Sequence, residues 1–283
     1  MLGNRRSNTS GAGDERLDDE QVGRLPEVTV VMPAHNAARY IAASVDSVLA
    51  QTFSNWELLV VDDASTDDTA ALLVRQYGMD QRIVIIRLAT NSGAAVARNI
   101  AIERARGRFI AFLDSDDLWL PEKLAVQVEF MKTQAVPFTF TAYERVTPEG
   151  TVVGTVGVPA TTSYSEMLKT SVIGCSTAVY DTEYFGRVFM PIIRMRQDFG
   201  LWLALLKRAE RAIGIQQVLV RYQVRPGSIS SNKKNAALYT WKIYRQVERL
   251  PLGRAVWLFV NYAGRGYLRH HFPSLARKLG VLI

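Results

Sequence analysis

Short apolar runs and amphipathic stretches alternate along the first 120 residues of the chain. Four continuous apolar runs have the length and composition of strands that are buried on both faces. They occupy residues 28–32, 56–61, 83–88 and 108–113. The segment after the first run has apolar side chains at i, i+4, i+7 and i+8, which predicts an amphipathic helix, and helices are predicted after the next two runs as well. This order predicts an α/β fold with a mostly parallel sheet and helices on both faces.

The pattern changes in the second half of the chain. Alternating positions at residues 137–146 and 151–156, around a turn at 147–150, predict a β-hairpin. A short helix, a buried strand, a longer helix and a last strand are predicted after it. They occupy residues 164–169, 175–180, 198–208 and 218–224.

These patterns divide the chain into three parts. Residues 1–26 are polar and charged and lack the apolar core of a signal peptide, so they predict a disordered lead. Residues 27–235 form the α/β domain, with halves at 27–120 and 121–235. Residues 236–283 predict a basic, amphipathic helical tail. Its interruptions are expected at Pro251, Gly253, Gly264, Gly266 and Pro273.

Charge is unevenly distributed along the chain. The net charge is +7, and residues 241–283 hold eight basic residues against one acidic residue. The rest of the chain is neutral, which disfavours nucleic acid as a partner, and the basic tail favours an anionic surface such as a membrane. The chain contains no run of 18 apolar residues, so no membrane-spanning helix is predicted. The single cysteine, Cys175, excludes an internal disulfide, and its apolar surroundings predict a core residue.

Acidic residues follow two of the predicted strands. Asp63 ends the second strand, and Asp114, Ser115, Asp116 and Asp117 follow the fourth. Ligands of parallel sheets bind beyond the carboxyl ends of the strands, so both groups are expected in one crevice. Two carboxylates at i and i+2 suit Mg²⁺ or Mn²⁺, which prefer oxygen ligands. A solvated acidic turn is the alternative interpretation of the same spacing.

Other polar residues have two interpretations each. Asp63 can accept a hydrogen bond from a nucleobase, or it can cap a helix. Arg98 can bind a diphosphate or stack on a base, or it can be an exposed helix residue. Asp198 can be a general base or a helix cap. His35 lies on the loop after the first strand. The sequence favours neither a ligand contact for His35 nor the lack of one.

The chain lacks the motifs of several enzyme classes. The phosphate-binding loop GxxxxGK[ST], the GxSxG elbow and a GxGxxG loop after the first strand are all absent. A nucleotidyltransferase would need a glycine-rich basic loop there, and residues 32–36 do not provide one. An inactive nucleotide-sugar-binding or scaffold protein remains an alternative.

Five linked motifs carry a family resemblance. In order along the chain they read PAHN, VVDDASTD, NSGAAVARN, DSDDLWLP and QDFGLW. Together they resemble family 2 of the inverting glycosyltransferases, and the later segments resemble the small bacterial enzymes of teichuronic-acid and surface-polysaccharide synthesis. The resemblance implies a GT-A fold, a nucleotide-diphosphate sugar donor, most often a UDP-sugar, and Mg²⁺ or Mn²⁺. Residues 27–120 would bind the donor, and residues 121–235 the acceptor.

The resemblance also implies roles for individual residues. Asp198 would be the catalytic base and Asp116 the metal ligand. The implied nucleotide-binding residues are Pro33, Ala34, His35, Asn36, Asp63, Arg98, Asp114 and Ser115. Contacts to the diphosphate or the acceptor are expected from Trp119, Gln197, Trp202 and Arg225. Gln197 stands where many members have glutamate.

The expected reaction follows from the same resemblance. The QxxRW motif of processive members is absent, so transfer of one sugar to a hydroxyl is expected rather than polymerisation. The acceptor would be a glycan or a polyprenyl-diphosphate-linked glycan. The protein is then expected in the cytoplasm, peripherally attached to the inner face of the cell membrane.

Overall fold

The computed structural model describes residues 25–224 and 233–272, with the backbone alone at 233–234 and 269–271. Most of the predicted lead at residues 1–26 therefore lies outside the described residues. Arg225 and the end of the tail from Pro273 lie outside them as well.

The described residues form ten strands and nine α-helices. The strands are β1 Val28–Ala34, β2 Trp56–Asp62, β3 Ile83–Arg87, β4 Phe109–Phe112, β5 Leu118–Trp119, β6 Phe138–Val146, β7 Val152–Val156, β8 Thr161–Thr162, β9 Val179–Asp181 and β10 Ala212–Gln223. The helices are α1 Ile41–Leu49, α2 Thr69–Tyr77, α3 Ala94–Arg104, α4 Lys123–Thr133, α5 Tyr164–Met167, α6 Thr182–Phe185, α7 Gln197–Leu206, α8 Lys233–Lys242 and α9 Leu252–His271. One 3₁₀ turn, Cys175–Thr177, and one π-helical segment, Ile243–Val247, complete them.

One sheet contains all ten strands of the described residues. Its strand order is β3-β2-β1-β4-β9-β6-β10-β5, with β7 paired to β6 and β8 to β10. The strands β3, β2, β1 and β4 are all parallel, as the strand–helix alternation predicts. Antiparallel pairs begin where β9 joins β4, so the second half of the sheet is mixed. The predicted hairpin of β6 and β7 is confirmed.

Both faces of the parallel half are buried by helices. Val31, Leu59 and Ile110 point to one face, where they join a cluster with apolar residues of α3 and α7. Their sequence neighbours Val30 and Leu58 point to the other face and meet residues of α1, α2 and α4. Successive side chains of a strand point to opposite faces. Continuous apolar runs are therefore required here, which explains the pattern in the sequence.

Two of the predicted strands begin more than two residues away from their predicted starts. Residues 175–180 are not one strand, because Cys175–Thr177 form a 3₁₀ turn before β9 begins at Val179. Polar contacts hold this turn, since Ser176 donates a hydrogen bond to Asp117 and accepts one from the backbone of Asp114. The last strand begins six residues earlier than predicted, at Ala212. The pairing of β10 with β6 shifts register between Ile215 and Val218. This irregularity interrupts the alternation of apolar and polar residues that would have indicated a strand.

The described part of the tail is helical, but its glycines do not interrupt it. Gly253, Gly264 and Gly266 lie inside α9, whereas the predicted interruption at Pro251 is confirmed, because Pro251 is the N-cap residue of α9. Glycine costs a helix about 1 kcal/mol relative to alanine. Burial of Ala255 and Leu258 in the domain core offsets this cost. None of the helices in the described ranges is both long and apolar enough to cross a membrane.

Candidate functional site

A cavity of about 620 Å³ opens at the carboxyl ends of β1, β2 and β4. Residues from widely separated parts of the chain line it. They include Pro33, Ala34, His35, Asp63, Asn91, Gly93, Arg98, Asp114, Ser115, Asp116, Cys175, Arg194, Arg196, Gln197, Asp198, Tyr222 and Ala236. Most of the residues expected to bind the nucleotide, the metal or the acceptor hydroxyl thus meet in one place.

The loop after β1 is fixed against the loop after β2. Nδ1 of His35 lies 2.8 Å from the carbonyl oxygen of Asp63. Asn36 adopts a left-handed backbone conformation with φ 50°, and its side-chain oxygen accepts a hydrogen bond from the backbone of Thr66. His35 lines the cavity, whereas Asn36 is absent from the cavity wall. The interpretation of Asn36 as a nucleotide contact is therefore corrected, because its amide is used to brace the loops.

Asp63 fixes the start of α3. Its two carboxylate oxygens accept hydrogen bonds from the backbone N–H groups of Ser92, at 2.6 Å, and Gly93, at 2.7 Å. Gly93 has φ 91°, a conformation that glycine adopts without strain. A carboxylate offers about four acceptor positions, so Asp63 retains capacity for a donor from a ligand.

Arg98 is buried and forms an ion pair with the half-exposed Asp114 in the cavity wall. Nη2 of Arg98 donates to Oδ1 of Asp114. Burial is the largest single influence and lowers the pKa of Arg98, but the charge and hydrogen bond of Asp114, with the charges of Cys175 and Asp198, together raise it more, so the net shift is upward. Nε of Arg98 has no hydrogen-bond partner among the described residues. An unused guanidinium donor in a cavity favours an anionic ligand.

The acidic turn after β4 divides into an exposed and a buried part. Asp117 is buried and accepts hydrogen bonds from the Ser176 hydroxyl, at 2.5 Å, and from the backbone of Gln223, at 3.2 Å. Burial, with the charges of Asp114 and Asp116, raises the pKa of Asp117 well above its usual value. Asp117 therefore anchors the turn, while Asp114, Ser115 and Asp116 are half-exposed in the cavity wall.

The carboxylates of this turn fit a divalent cation that is shared with a substrate. No three His, Cys, Asp or Glu side chains converge as a metal cluster anywhere in residues 25–224 and 233–272. Mg²⁺ bound by one or two carboxylates together with phosphate oxygens needs no such cluster. Asp116 and Asp114 supply the oxygen donors that this mode requires.

Asp198 lies in the first turn of α7, on the cavity wall. Arg196 is the N-cap residue of the helix, and no side chain caps it. No hydrogen bond joins the Asp198 carboxylate to another described residue, so the capping interpretation is not what the structure shows. The side chain is half-buried and faces the same space as Arg98, where a carboxylate can take a proton from a ligand.

Trp119 and Trp202 are core residues rather than ligand contacts. Nε1 of Trp119 donates to the carbonyl oxygen of Ser176 at 2.8 Å, and Nζ of Lys123 lies 3.9 Å from the centre of the Trp119 ring. Burial lowers the pKa of Lys123 well below its usual value. Trp202 is fully buried, and its ring packs edge-on to Phe112 at 5.4 Å. Neither tryptophan lines the cavity, so the prediction that both contact a ligand is corrected.

The other two predicted contacts have different outcomes. Gln197 lines the cavity, and Arg225 lies outside the described residues.

Sequence reasoning missed several cavity residues. Cys175 was expected in the core, but the 3₁₀ turn places it half-buried on the cavity wall, where burial raises the pKa of its thiol well above the usual value. Arg194 and Arg196 directly precede the Gln197-Asp198 pair, and that proximity was the signal that could have identified them. Tyr222 is not close in sequence to any predicted site residue. It reaches the cavity only because β10 pairs with β6.

A partly parallel sheet with a charged cavity at its strand ends is typical of α/β proteins that bind nucleotides. The sequence model of the family described as "Glycosyl transferase family 2" matches residues 29–189, more than half of the chain. The chain therefore belongs to glycosyltransferase family 2, as its motifs predict.

Two curated relatives match most of the chain. The putative teichuronic acid biosynthesis glycosyltransferase TuaG of Bacillus subtilis (strain 168) is 46% identical over 239 residues, which cover 84% of this chain and 95% of that protein. The Escherichia coli protein WfgD, a UDP-Glc:α-D-GlcNAc-diphosphoundecaprenol β-1,3-glucosyltransferase, is 38% identical over 246 residues, which cover 87% and 95%. Both are bacterial enzymes that transfer sugars.

Solved structures confirm the GT-A fold. Residues 1–349 of S. aureus TarS in complex with UDP-GlcNAc superpose with a TM-score of 0.69 at 22% identity, covering 88% of this chain and 75% of that one. The mannosyltransferase PcManGT of Pyrobaculum calidifontis, in complex with GDP-Man and Mn²⁺, superposes with a TM-score of 0.64 at 20% identity, covering 91% and 80%. At these identities the likeness concerns the fold.

Proposed function

We propose that the protein transfers one sugar, with inversion, from a UDP-sugar to a hydroxyl of a lipid-diphosphate-linked glycan. One observation carries the proposal. The carboxylate of Asp198 shares a single cavity with the Asp114–Asp116 turn and with the buried guanidinium of Arg98. A base for the acceptor and charged groups for a departing diphosphate are the two requirements of this reaction.

Asp198 acts on the acceptor in this proposal. Its carboxylate takes the proton of the acceptor hydroxyl, and the hydroxyl oxygen attacks the anomeric carbon on the face opposite the diphosphate. The C–O bond to the diphosphate breaks as the new bond forms, so the configuration at the anomeric carbon inverts. Arg98 holds the donor through its guanidinium charge, and Asp63 accepts a hydrogen bond from N3–H of uracil.

Asp116 and Asp114 would hold Mg²⁺ or Mn²⁺. A bound cation offsets the negative charge that develops on the departing nucleoside diphosphate. The Mn²⁺ in the PcManGT complex supports a cation in this fold.

The relatives support the donor and the acceptor. TarS was solved with UDP-GlcNAc, and the name of WfgD gives UDP-Glc as donor and a diphosphoundecaprenol-linked sugar as acceptor. We test the proposal by incubating the full chain with UDP-sugars and an alkyl-diphosphate-linked N-acetylglucosamine, and by determining the product's anomeric configuration by NMR. Retained configuration would reject the mechanism, and absence of any transfer would reject the substrate class.

The first prediction concerns the base pocket. Asp63→Asn removes a charge and one of the acceptors, so UDP affinity is expected to fall by about 1.5–3 kcal/mol. Calorimetry with UDP and with N3-methyl-UDP separates direct contact from altered loop structure. The wild type should prefer UDP, and the variant should lose that preference. An equal loss for both nucleotides would mean that Asp63 acts only by holding Ser92 and Gly93.

An apolar face of α9 supports attachment to a membrane. Ala255 and Leu258 pack into the core, while another side of the helix exposes Leu252, Val256, Trp257, Val260 and Tyr267 to solvent. Arg254 and Arg265 lie between these two faces on the helical wheel. Aromatic rings beside arginines suit the headgroup region of an anionic bilayer.

The second prediction tests this face with vesicles. Because the core side of α9 is packed, we replace exposed residues rather than delete the tail. The wild type should sediment with anionic vesicles, less so at high salt, because surface attraction is screened within about 8 Å. Trp257→Ser with Val260→Ser should weaken binding roughly tenfold, since each side chain contributes on the order of 1 kcal/mol when partly buried. Met79→Ser, at a residue that is 96% exposed, is the matched control. Unchanged sedimentation of the double variant would refute the attachment.

A further inference from the structure

Two arginines of the cavity wall, Arg194 and Arg196, have no role in the mechanism above. They precede the proposed base Asp198 by four and two residues, and both line the cavity. Within the described part of the chain, neither guanidinium forms an ion pair with a carboxylate. Cationic groups without a carboxylate partner in a binding cavity favour an anionic ligand.

Arg196 is held in place from the tail helix. It has a left-handed backbone conformation with φ 63°, which a non-glycine residue keeps only where its surroundings hold it. Nη2 donates to the hydroxyl of Tyr262 on α9 at 2.7 Å, and the guanidinium carbon lies 5.8 Å from the centre of the same ring. The position of Arg196 therefore depends on how α9 packs.

Apolar side chains flank the arginines. Pro191 packs so closely on Gly200 of α7 that a β-carbon there would lie 2.4 Å from its Cγ, and Ile243 reaches the same glycine. The segment before Arg194 is thereby fixed beside the C-terminal helices, yet Phe189 and Ile192 remain 48% and 67% exposed. Charge at the cavity and apolar surface beside it suit a ligand that joins an anionic group to a hydrocarbon chain.

We infer that Arg194 and Arg196 form the subsite for the diphosphate of the lipid-linked acceptor, and that Tyr262 positions Arg196 for it. This inference rests on the proposed function, because it names where that acceptor binds. The donor also carries a diphosphate, but its proposed partners Arg98 and Asp116 follow other strands. The two arginines stand directly before Asp198, which the acceptor hydroxyl must reach.

The test uses geranyl diphosphate, which carries the lipid diphosphate without any sugar. It is titrated by calorimetry into the full chain saturated with UDP, at a fixed excess of Mg²⁺, and geraniol is titrated in parallel. The wild type should bind geranyl diphosphate and prefer it to geraniol. Arg194→Ala and Arg196→Gln should each weaken binding about 10- to 100-fold, the effect of losing a hydrogen bond to a charged group. Their UDP affinity should change less than about twofold, because separate sites are nearly independent.

Tyr262→Phe separates positioning from direct binding. It removes the hydroxyl that accepts a hydrogen bond from Arg196. Tyr262→Phe alone should therefore weaken geranyl diphosphate binding about fivefold. Added to Arg196→Gln, the same substitution should weaken binding no further. Arg75→Ala, at an exposed arginine of α2, is the matched control and should bind as the wild type does.

Each outcome decides the inference. Displacement of geranyl diphosphate by UDP would place it in the donor site and overturn the subsite, as would unchanged binding in Arg194→Ala, whose exposed side chain leaves folding unaffected. Failure of the wild type to bind UDP would count against the proposed function instead. The titration is then repeated on the free protein, where loss of binding in Arg194→Ala still decides the subsite.

Discussion

Asp198→Asn is expected to lower the rate of sugar transfer about 10²- to 10⁴-fold, the usual contribution of general-base catalysis. Asparagine keeps the shape of the side chain, but it cannot take a proton. UDP affinity should stay the same, because the base acts on the acceptor. The measurement is the rate of product formation at saturating donor, together with UDP titration by calorimetry.

A second acidic residue at a helix start provides the control. Asp68 is the N-cap residue of α2, makes no capping bond with its side chain and is exposed outside the cavity. Asp68→Asn should therefore transfer sugar at the wild-type rate. If Asp198→Asn also retains that rate, Asp198 is not the base.

Asp116→Ala is expected to reduce turnover on the order of 10³-fold or more. Without the cation, the departing diphosphate would lose several kcal/mol of stabilisation. The rate falls about tenfold for each 1.4 kcal/mol that is lost, which gives the expected reduction. The side chain is half-exposed, so the melting temperature should change little. UDP titrations with and without Mg²⁺ give a readout that does not depend on activity. Mg²⁺ should tighten UDP binding in the wild type and have no effect in the variant.

Two results would contradict the role of Asp116. The first is a variant that still binds UDP more tightly when Mg²⁺ is added. The second is a wild type with full turnover in metal-free buffer. Loss of activity with a lowered melting temperature would instead indicate damage to the turn that Asp117 anchors.

The sequence predicted the residues that follow strand ends well. Asp63, Asp114 and Asp116 reach one cavity because parallel strands end at the same edge of a sheet, and this rule needs only the strand order. Asp198 was harder, since helix spacing alone allows a cap or a base. In the structure Asp198 lines the cavity and does not cap α7, which favours the base, and that role stays a prediction.

Residues placed by distant packing could not be predicted in this way. Trp202 follows an acidic motif and has the chemistry of a ligand contact, but this residue of α7 is buried against Phe112 of β4 and Phe138 of β6. Cys175 lies in an apolar stretch, yet hydrogen bonds of the neighbouring Ser176 bend the chain and bring it to the cavity. Both outcomes depend on contacts far apart in the sequence.

The anchoring of Asp117 has a consequence for the order in which the protein assembles. The bond from the backbone of Gln223 to Asp117 joins residues 106 positions apart, and β5, directly after the acidic turn, pairs with β10. During synthesis the four parallel strands can therefore form long before the turn is supported. We therefore expect the nascent chain to bind the proposed donor only after β10 has emerged from the ribosome and Gln223 can support the turn.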